Sequence, residues 1–456
     1  MKKALYAITA IMMVLFITAC VEIDVSEVTS VALNFTPKDA YLVDEPVVLD
    51  DMELTVMFET GDPQTLALDD ADIVLTGAYL DNGTNLTLDT ATSGEKTLSV
   101  SYQDVSAVVT FNVYDTIVET TGYTSDYQAG FVSNTTNPLH SAYQATAADG
   151  RIYVSTGTYT ESTPTVISDV SRDLVLYMNK NMTLVAGDDV MIEPESSVYR
   201  MVQVENTTGV TIEGFIFSDA WTNIGIIAFG ENTEIINNFI NAPESVSANG
   251  NSIQISGSNA KVTGNTVYAT NITSSTTWDG SAVLIAASRF DISNIEVNDN
   301  TVIREIASNK WNNGIAISVQ DEYDVSDVTI DGNVIVGGLK AISLEIAWGT
   351  GTGSISSVDI TDNTFVDVDL VIQMGQLVGG LGDFTDITIT RNVYEFDGDS
   401  DFSPLNLVST VENQWDSFDW NAFRTDNGLD EVVFNIEPET FWNGWGWETY
   451  SWIDLT

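Results

Sequence analysis

One eight-residue pattern recurs through the second half of this 456-residue chain, and it leaves little freedom in the fold. VTIDGNVI (328–335) has apolar residues at its first, third and eighth positions and Asn at its sixth. The same shape is seen in TEIINNFI (233–240), AKVTGNTV (260–267), IEVNDNTV (295–302), VDITDNTF (358–365) and ITITRNVY (387–394). Thr233 and Ala260 are the weak first positions. The Asn residues are Asn238, Asn265, Asn300, Asn333, Asn363 and Asn392, separated by 27, 35, 33, 30 and 29 residues. VTIEGFIF (210–217) is an earlier copy with Phe215 in the Asn position. A second strand-like run precedes most copies, as in IGIIAF (224–229), AVLIAA (282–287) and AISLEI (341–346). Self-similarity at this period, with at least two strands per repeat, predicts an all-β solenoid whose rungs pair in parallel.

The first and third positions face inward, and so does the eighth. An odd step between inward positions requires a corner, because side chains alternate along a strand. Asn tolerates left-handed backbone, and Asp-Gly-Asn suits a tight turn. A buried Asn at each corner would hydrogen-bond to its equivalents above and below, as side chains do in stacked strands. The six Asn residues are therefore expected to form a structural ladder.

Charge sets limits on function. The chain holds 66 acidic residues against 15 Lys and Arg, a formal net charge of −51. Nucleic-acid binding needs a basic face to displace counterions, so that class is excluded. The acids are spread along the chain, as in a solvated acidic shell; a cation-loaded surface is the alternative.

The first twenty residues, MKKALYAITAIMMVLFITAC, have Lys2 and Lys3 ahead of an apolar run too short and too early for a membrane span. The run ends in Ile-Thr-Ala-Cys, which resembles a bacterial lipobox, a signal that implies cleavage before Cys20 and acylation of its thiol. Residues 1–20 are thus expected to be a lipoprotein signal peptide, with Cys20 tethered to a membrane outside the cytoplasm. Cys20 is the only cysteine, so packing and not disulfides must stabilise the protein.

Residues 28–115 alternate short strands with turns: VALNF (31–35), ELTVMF (53–58), TLSVSY (97–102) and VVTFNV (108–113). That density of strands suggests a β-sandwich. Ala40-Tyr41 with Asp44-Glu45-Pro46, and GEKTLSVSY (94–102), resemble the "Y-x-x-G-E/D" and "G-x-K-x-V-x-V-x-Y" strands of bacterial Ig-like domains. The Gly of the first motif is replaced here by Asp44. Such domains serve mostly as stalks. Residues 116–141 read as a linker or cap and contain the lone His140.

Residues 142–400 resemble the right-handed parallel β-helix proteins of the pectin-lyase-like type. GRIYVSTGTYTE (150–161) is similar to their "I-x-V-x-P-G-x-Y" opening rung, and LVLYMNKNMTLVAGD (174–188) to the rung that follows it. FDWNAFRTDNGLDE (418–431) resembles an element that closes such domains. The family includes lyases, hydrolases, epimerases and non-catalytic binders, so the resemblance implies a fold more than an activity. Residues 401–456 carry six Trp and read as a C-terminal cap over the last rung, with a sugar site as the alternative.

Several constellations bear on chemistry. The Asn-Thr-Asp, Gly-His-Gly and Arg-Ile-Lys motifs of polygalacturonases and the Trp-Ile-Asp-His motif of pectate lyases are absent. Alginate- and chondroitin-type lyases use a Lys and an Arg facing a groove. Arg289, Arg304, Lys310 and Lys340 lie in adjacent repeats, and Lys310 with Arg289 or Arg304 is the catalytic pair this implies. The same residues would also serve simply to balance an acidic shell. Trp221, Trp278 and Trp311 each stand just ahead of a strand, which would align them as a carbohydrate-stacking track with Asn223, Asp279, Asn312 and Asn313 as polar neighbours. Lids over apolar ledges are the other reading of the three rings. Asp397, Asp399 and Asp401 alternate like the start of a Ca²⁺ loop, although Phe402 and Val408 break the rest of that pattern. The expectation from sequence is a surface lipoprotein whose β-helix binds polysaccharide. A polysaccharide lyase acting by β-elimination, with Ca²⁺ as its conceivable cofactor, and a non-enzymatic spacer are the rivals.

Overall fold

The computed structural model describes residues 27–50, 52–81, 85–161, 165–166, 173–243, 250–269, 280–304, 313–348, 352–368, 370–376, 382–395, 403–408, 425–427, 440–442 and 447–449. The chain divides into two compact units, Met1–Val113 and Tyr114–Thr456.

In the first unit, strands Val28–Leu33, Glu53–Phe58 and Gln64–Ala67 form one antiparallel sheet. Tyr41–Leu42, Val105–Tyr114, Gly94–Tyr102 and Ile73–Gly77 form another. Leu54 and Val56 from one sheet and Leu98, Val100 and Phe111 from the other share a single buried core, as period-2 alternation requires. Asp44 has φ +60°, so it occupies the left-handed conformation for which the family pattern places Gly. Asp is one of the few other residues that adopts it readily. The Glu45 carboxylate beside it accepts the Leu42 N–H at 2.9 Å and fixes the turn.

The second unit is a parallel β-solenoid whose rungs each place strands in three sheets. Sheet I takes the first strand of each repeat, from Gly150–Val154 through Val325–Asp331 to Phe384–Thr390. Sheet II takes the short strand after the Asn, from Gly157–Tyr159 through Val334–Val336 to Val393–Glu395. Sheet III takes the preceding strand, from Asp173–Met178 through Lys340–Trp348 to Ser403–Val408. The pairing follows the repeat: Val297, Ile330 and Ile360 are partners in sheet I, and Val302, Ile335 and Phe365 in sheet II. These residues are all inside the core.

The corner between sheets I and II holds the Asn ladder. The Asn300 backbone N–H and its Nδ2 both donate to Asn333 Oδ1, at 2.9 and 3.0 Å. Asn333 repeats this with Asn363 Oδ1, at 2.9 Å for each bond, and its Nδ2 also donates to the Val297 carbonyl at 2.8 Å. The same geometry runs from Asn238 through Asn265, Asn300, Asn333 and Asn363 to Asn392. At the start of the ladder the Phe215 N–H donates to Asn238 Oδ1 at 3.0 Å, so backbone alone continues the column. At the far end Asn392 N–H and Nδ2 donate to Asn427 Oδ1, at 3.0 and 3.1 Å, which adds a seventh Asn.

The Asn residues do not themselves take the left-handed backbone. That role falls to the residue before each one: Gly214, Asn237, Gly264, Asp299, Gly332, Asp362 and Arg391, with φ between 54° and 82°. The division has a physical reason. The preceding residue makes the bend, and the Asn keeps ordinary backbone so that its amide reaches along the solenoid axis. A Cβ on Gly332 would lie 2.6 Å from Asp299 Oδ1, so the close stacking of rungs favours Gly there. A second left-handed column runs through Asn232, Asn259, Asn294, Asp327, Ser357 and Asp386 at the entry to sheet I.

The segment 116–141 belongs to this unit as a cap. Strand Thr116–Glu119 pairs in parallel with Gly150–Val154, and helix α1 (Pro138–Ala145) buries Leu139, Ala142 and Tyr143. Pro138 opens the helix, and Asn137 makes no side-chain cap bond. Glu161 supplies the missing acceptor: its Oε1 takes the Leu139 N–H at 2.8 Å. Burial pushes the Glu161 carboxyl up to about 7, outweighing the Leu139 and His140 N–H groups that pull it down. Burial also lowers the pKa of half-buried His140.

Two predictions follow from these contacts. Asn333→Ala strips the acceptor from two Asn300 donors and the side-chain donor from three carbonyl oxygens, those of Val297, Asp331 and the Asn363 amide, and should cost about 3–5 kcal/mol in urea unfolding. Thr329→Ala on the outer face should cost less than about 0.5 kcal/mol; similar losses for both would refute a special role for the ladder. Glu161 has a folded pKa above its ordinary value of 4.5, so its contribution is full below pH 4.5 and is lost as pH rises through about 7. Glu161→Gln keeps the acceptor without the charge and should flatten the fall of Tm across that window. An unchanged slope would contradict the assignment.

Candidate ligand-binding face

The outer surface of sheet III differs from a plain solvated strand face. A Cβ on Gly314 would meet the Ala341 carbonyl at 2.6 Å and Ile335 Cγ2 at 2.9 Å, so that position is turned into the core. Ile315 and Ile317 are also fully buried. Outward positions in each strand therefore fall at i, i+3 and i+5, and polar side chains occupy them in three rungs.

In the rung of Val198–Val204, Arg200 Nη1 donates to Gln203 Oε1 at 2.6 Å, and Gln203 Nε2 donates to Glu205 Oε2 at 3.0 Å. The Tyr177 hydroxyl reaches the same Glu205 oxygen at 3.4 Å. In the rung of Asn251–Ile255, Asn251 Nδ2 donates to Gln254 Oε1 and Gln254 Nε2 to Ser256 Oγ, each at 3.3 Å. In the rung of Lys340–Trp348, Lys340 Nζ lies 3.7 Å from Glu345 Oε1, and the Ser343 hydroxyl donates to that carboxylate oxygen. Lys340 is only 2% exposed, so its charge requires this counter-ion. Asn313 pairs with Lys340 in the ladder, and Gln373 pairs with Ser343. Both are buried, and among the described residues nothing donates a hydrogen bond to Asn313 Oδ1 or Gln373 Oε1.

Of the candidate residues singled out from sequence, Trp221, Arg289 and Arg304 are among the described residues, and each has its own surroundings. Trp221 opens the strand Trp221–Ala228, but its ring is 1% exposed, lies in the core, and donates Nε1–H to the Asn241 carbonyl at 3.0 Å. It offers no flat face to a sugar. Trp221 and Trp278 stand three residues ahead of Ile224 and Ser281, which share one column of the ladder; Trp311 stands two ahead of Asn313 in that column. Trp278, Asp279, Lys310, Trp311 and Asn312 lie outside the described residues, as do Cys20 and Asp397, Asp399 and Asp401.

Arg289 is exposed. Its guanidinium lies 4.2 Å from the centre of the Phe229 ring and 3.4 Å from Glu205 Oε1, so it braces earlier rungs. Arg304 is buried in sheet II, where Nη2 donates to the Gly337 and Lys340 carbonyls at 2.7 Å each. Burial lowers its pKa to about 9. Arg304 packs against Gly338, where a Cβ would come within 2.4 Å of Nε, and so holds the turn leading into Lys340. Arg289 and Arg304 thus do not share a site. Asp291 Oδ1 accepts the Asp324 N–H at 3.0 Å, a rung-to-rung contact. No group of three or more His, Cys, Asp or Glu able to hold a metal occurs among the described residues.

Asn313 is one of the polar neighbours expected beside the Trp residues, whereas neither spacing nor motif marks Ser343, Glu345 and Gln373. The available signal was polarity inside apolar runs: Ser343 and Glu345 interrupt AISLEI, and Gln373 interrupts LVIQM.

No curated protein matches the chain. Among solved structures it is similar to a family 28 exopolygalacturonase of Yersinia enterocolitica, at 9% identity and TM-score 0.34, over 81% of this chain and 99% of that one. It is also similar to the A-module of the Azotobacter vinelandii mannuronan C-5 epimerase AlgE6, at 14% identity and TM-score 0.28, over 61% and 96%. A third is the catalytic domain of a GH87 α-1,3-glucanase, at 13% identity and TM-score 0.18, over 85% and 97%. Residues 36–113 match the family "Bacterial Ig-like domain (group 3)", and this part of the chain is a bacterial Ig-like domain, followed by a parallel β-solenoid.

Proposed function

We propose that this protein is a lipid-anchored extracytoplasmic protein whose solenoid binds polysaccharide along the outer face of sheet III. The observation that carries the reading is three separate clusters of mutually hydrogen-bonded, buried or half-buried polar side chains at i, i+3 and i+5 on that face, in the rungs of Val198–Val204, Asn251–Ile255 and Lys340–Trp348. Strand faces that only meet water have no reason to bury Arg200, Asn251, Lys340 and Gln373. Fixed arrays of amides, hydroxyls and carboxylates suit a ligand rich in hydroxyl groups. The Ig-like domain supports a stalk role, and the lipobox-like ITAC sequence supports acylation at Cys20.

Binding is preferred to β-elimination. Among the described cations, Lys340 is paired with Glu345, Arg304 holds a turn and Arg289 braces Glu205. A lyase would release an unsaturated product that absorbs in the ultraviolet.

Affinity electrophoresis of the full chain through gels containing polysaccharides should show retardation without an ultraviolet-absorbing product. Free migration in every gel would refute binding, and product formation would establish the lyase instead. Metabolic labelling with a palmitate analogue should tag the wild-type protein and not Cys20→Ser. Equal labelling of both would exclude lipidation at this residue.

A further inference from the structure

We propose that the outer face of sheet II is a self-association surface, on which a second copy of this chain packs with its solenoid axis reversed. This surface is separate from sheet III and does not depend on the polysaccharide reading.

The face is set apart by its lack of charge. On sheet I the outward positions carry Glu213, Glu234, Lys261, Glu296, Asp331 and Asp359. On sheet II Ile240, Val267, Val302, Ile335 and Phe365 point into the core, so the residues on either side of each point outward. One outward column is Phe239, Thr266, Thr301, Val334, Thr364 and Val393. Beside it run Tyr268, Ile303, Val336 and Val366. Among the described residues, no charged side chain points outward along this stretch before Glu395 at its rim, in a chain of formal net charge −51. Phe239, Val334 and Val393 are 37%, 36% and 48% exposed and share one column. A contiguous exposed apolar stripe marks a contact surface, and parallel sheets are ordinarily covered on both faces.

Two features favour a second copy as the occupant. Side-chain size changes along the face. One end is aromatic, with the Phe239 and Tyr268 rings 6.4 Å apart and tilted by 31°, and the other end is built from valines. When two copies meet end for end, Phe239 faces Val393, Tyr268 faces Val366 and Ile303 faces Val336. Large then meets small at both ends, as close packing requires, and one patch serves both partners of an isologous pair. The two copies also share one axial repeat, about 4.8 Å per rung, so every rung meets a rung.

Charge and area set the strength. Acids on the other faces oppose the approach of a second copy, and sheet II brings two copies together without facing acids. Six rungs with two outward side chains each cover about 500 Å² per copy, or about 1,000 Å² for the pair, the lower limit of a specific interface. The dimer is therefore weak, and it tightens as salt screens the acidic rims.

The test is sedimentation equilibrium of the full chain from about 5 to about 500 µM, in about 0.05 M and about 0.5 M NaCl. The weight-average mass should rise toward twice that of one chain, and further at the higher salt. Val334→Asp sets two carboxylates into the pair and should weaken association at least tenfold, with Val334→Thr losing much less. Thr329→Asp adds the same charge on sheet I and should have a smaller effect. Circular dichroism would establish that each variant is folded. Thr301→Cys in a Cys20→Ser chain should cross-link to itself through a short bismaleimide, because the two copies of this residue lie about 11 Å apart in the reversed pair. Thr329→Cys should not cross-link. A single-chain mass at every concentration and salt would overturn the proposal. So would equal association of wild type and folded Val334→Asp, or cross-linking at Thr329 and not at Thr301. A single-chain wild type whose retardation in a polysaccharide gel is lost in Val334→Asp would give the face to a glycan and overturn the dimer.

Discussion

The solenoid depends on one hydrogen-bond arrangement, the amide of each corner Asn shared between two rungs. Oδ1 accepts two bonds from the Asn before it, and Nδ2 donates to the Asn after it and to a backbone carbonyl. A corner that turns a strand away from its sheet leaves backbone groups unpaired in a dry interior. No hydrophobic side chain could satisfy them, and an isolated polar one would be left with spare donors of its own. A stack of identical amides satisfies all of them together. The column spans rungs 27 to 35 residues apart, so loop length between rungs is free while corner geometry is fixed.

Fixing the corner fixes what each sheet can present. Once the Asn column sets the rung, inward positions of all three sheets become aliphatic, and Ile330, Ile335 and Ile342 come from different sheets of neighbouring strands in one core. Outward positions are then free to differ. Sheet I carries exposed pairs such as Lys261 with Glu296, which contribute little. Sheet III carries buried polar networks, where geometry matters more because an unpaired group is costly. The ligand-binding proposal rests on that contrast.

Much of the fold was legible because it is periodic. Six Asn residues in register announced the corner, and the strands on either side followed. Two details were not. The left-handed position is held by Gly, Asn, Asp or Arg, from Gly214 to Arg391, so no single residue type marks it. Asn427 escapes the pattern because Arg424 stands at its third, normally apolar, position, although Thr425-Asp426-Asn427 repeats Thr361-Asp362-Asn363. The candidate site was less legible for a related reason. Its residues meet across rungs and along an i, i+3, i+5 pattern created by an inward-turned residue such as Gly314, so neither helical nor strand periodicity reveals it. Trp221 shows the opposite error: spacing placed it beside the sheet, but burial and its bond to Asn241 put it inside.

The most direct test of the central claim is native-state hydrogen exchange at the backbone amides of Asn265, Asn300, Asn333 and Asn363. Each donates to the side chain of the next Asn and is buried. If the ladder holds the rungs together, these amides exchange among the slowest in the protein, through large-scale opening of the solenoid. Exchange at the rate of amides in exposed loops would show that the corner opens locally, and the ladder would then not be what the fold depends on.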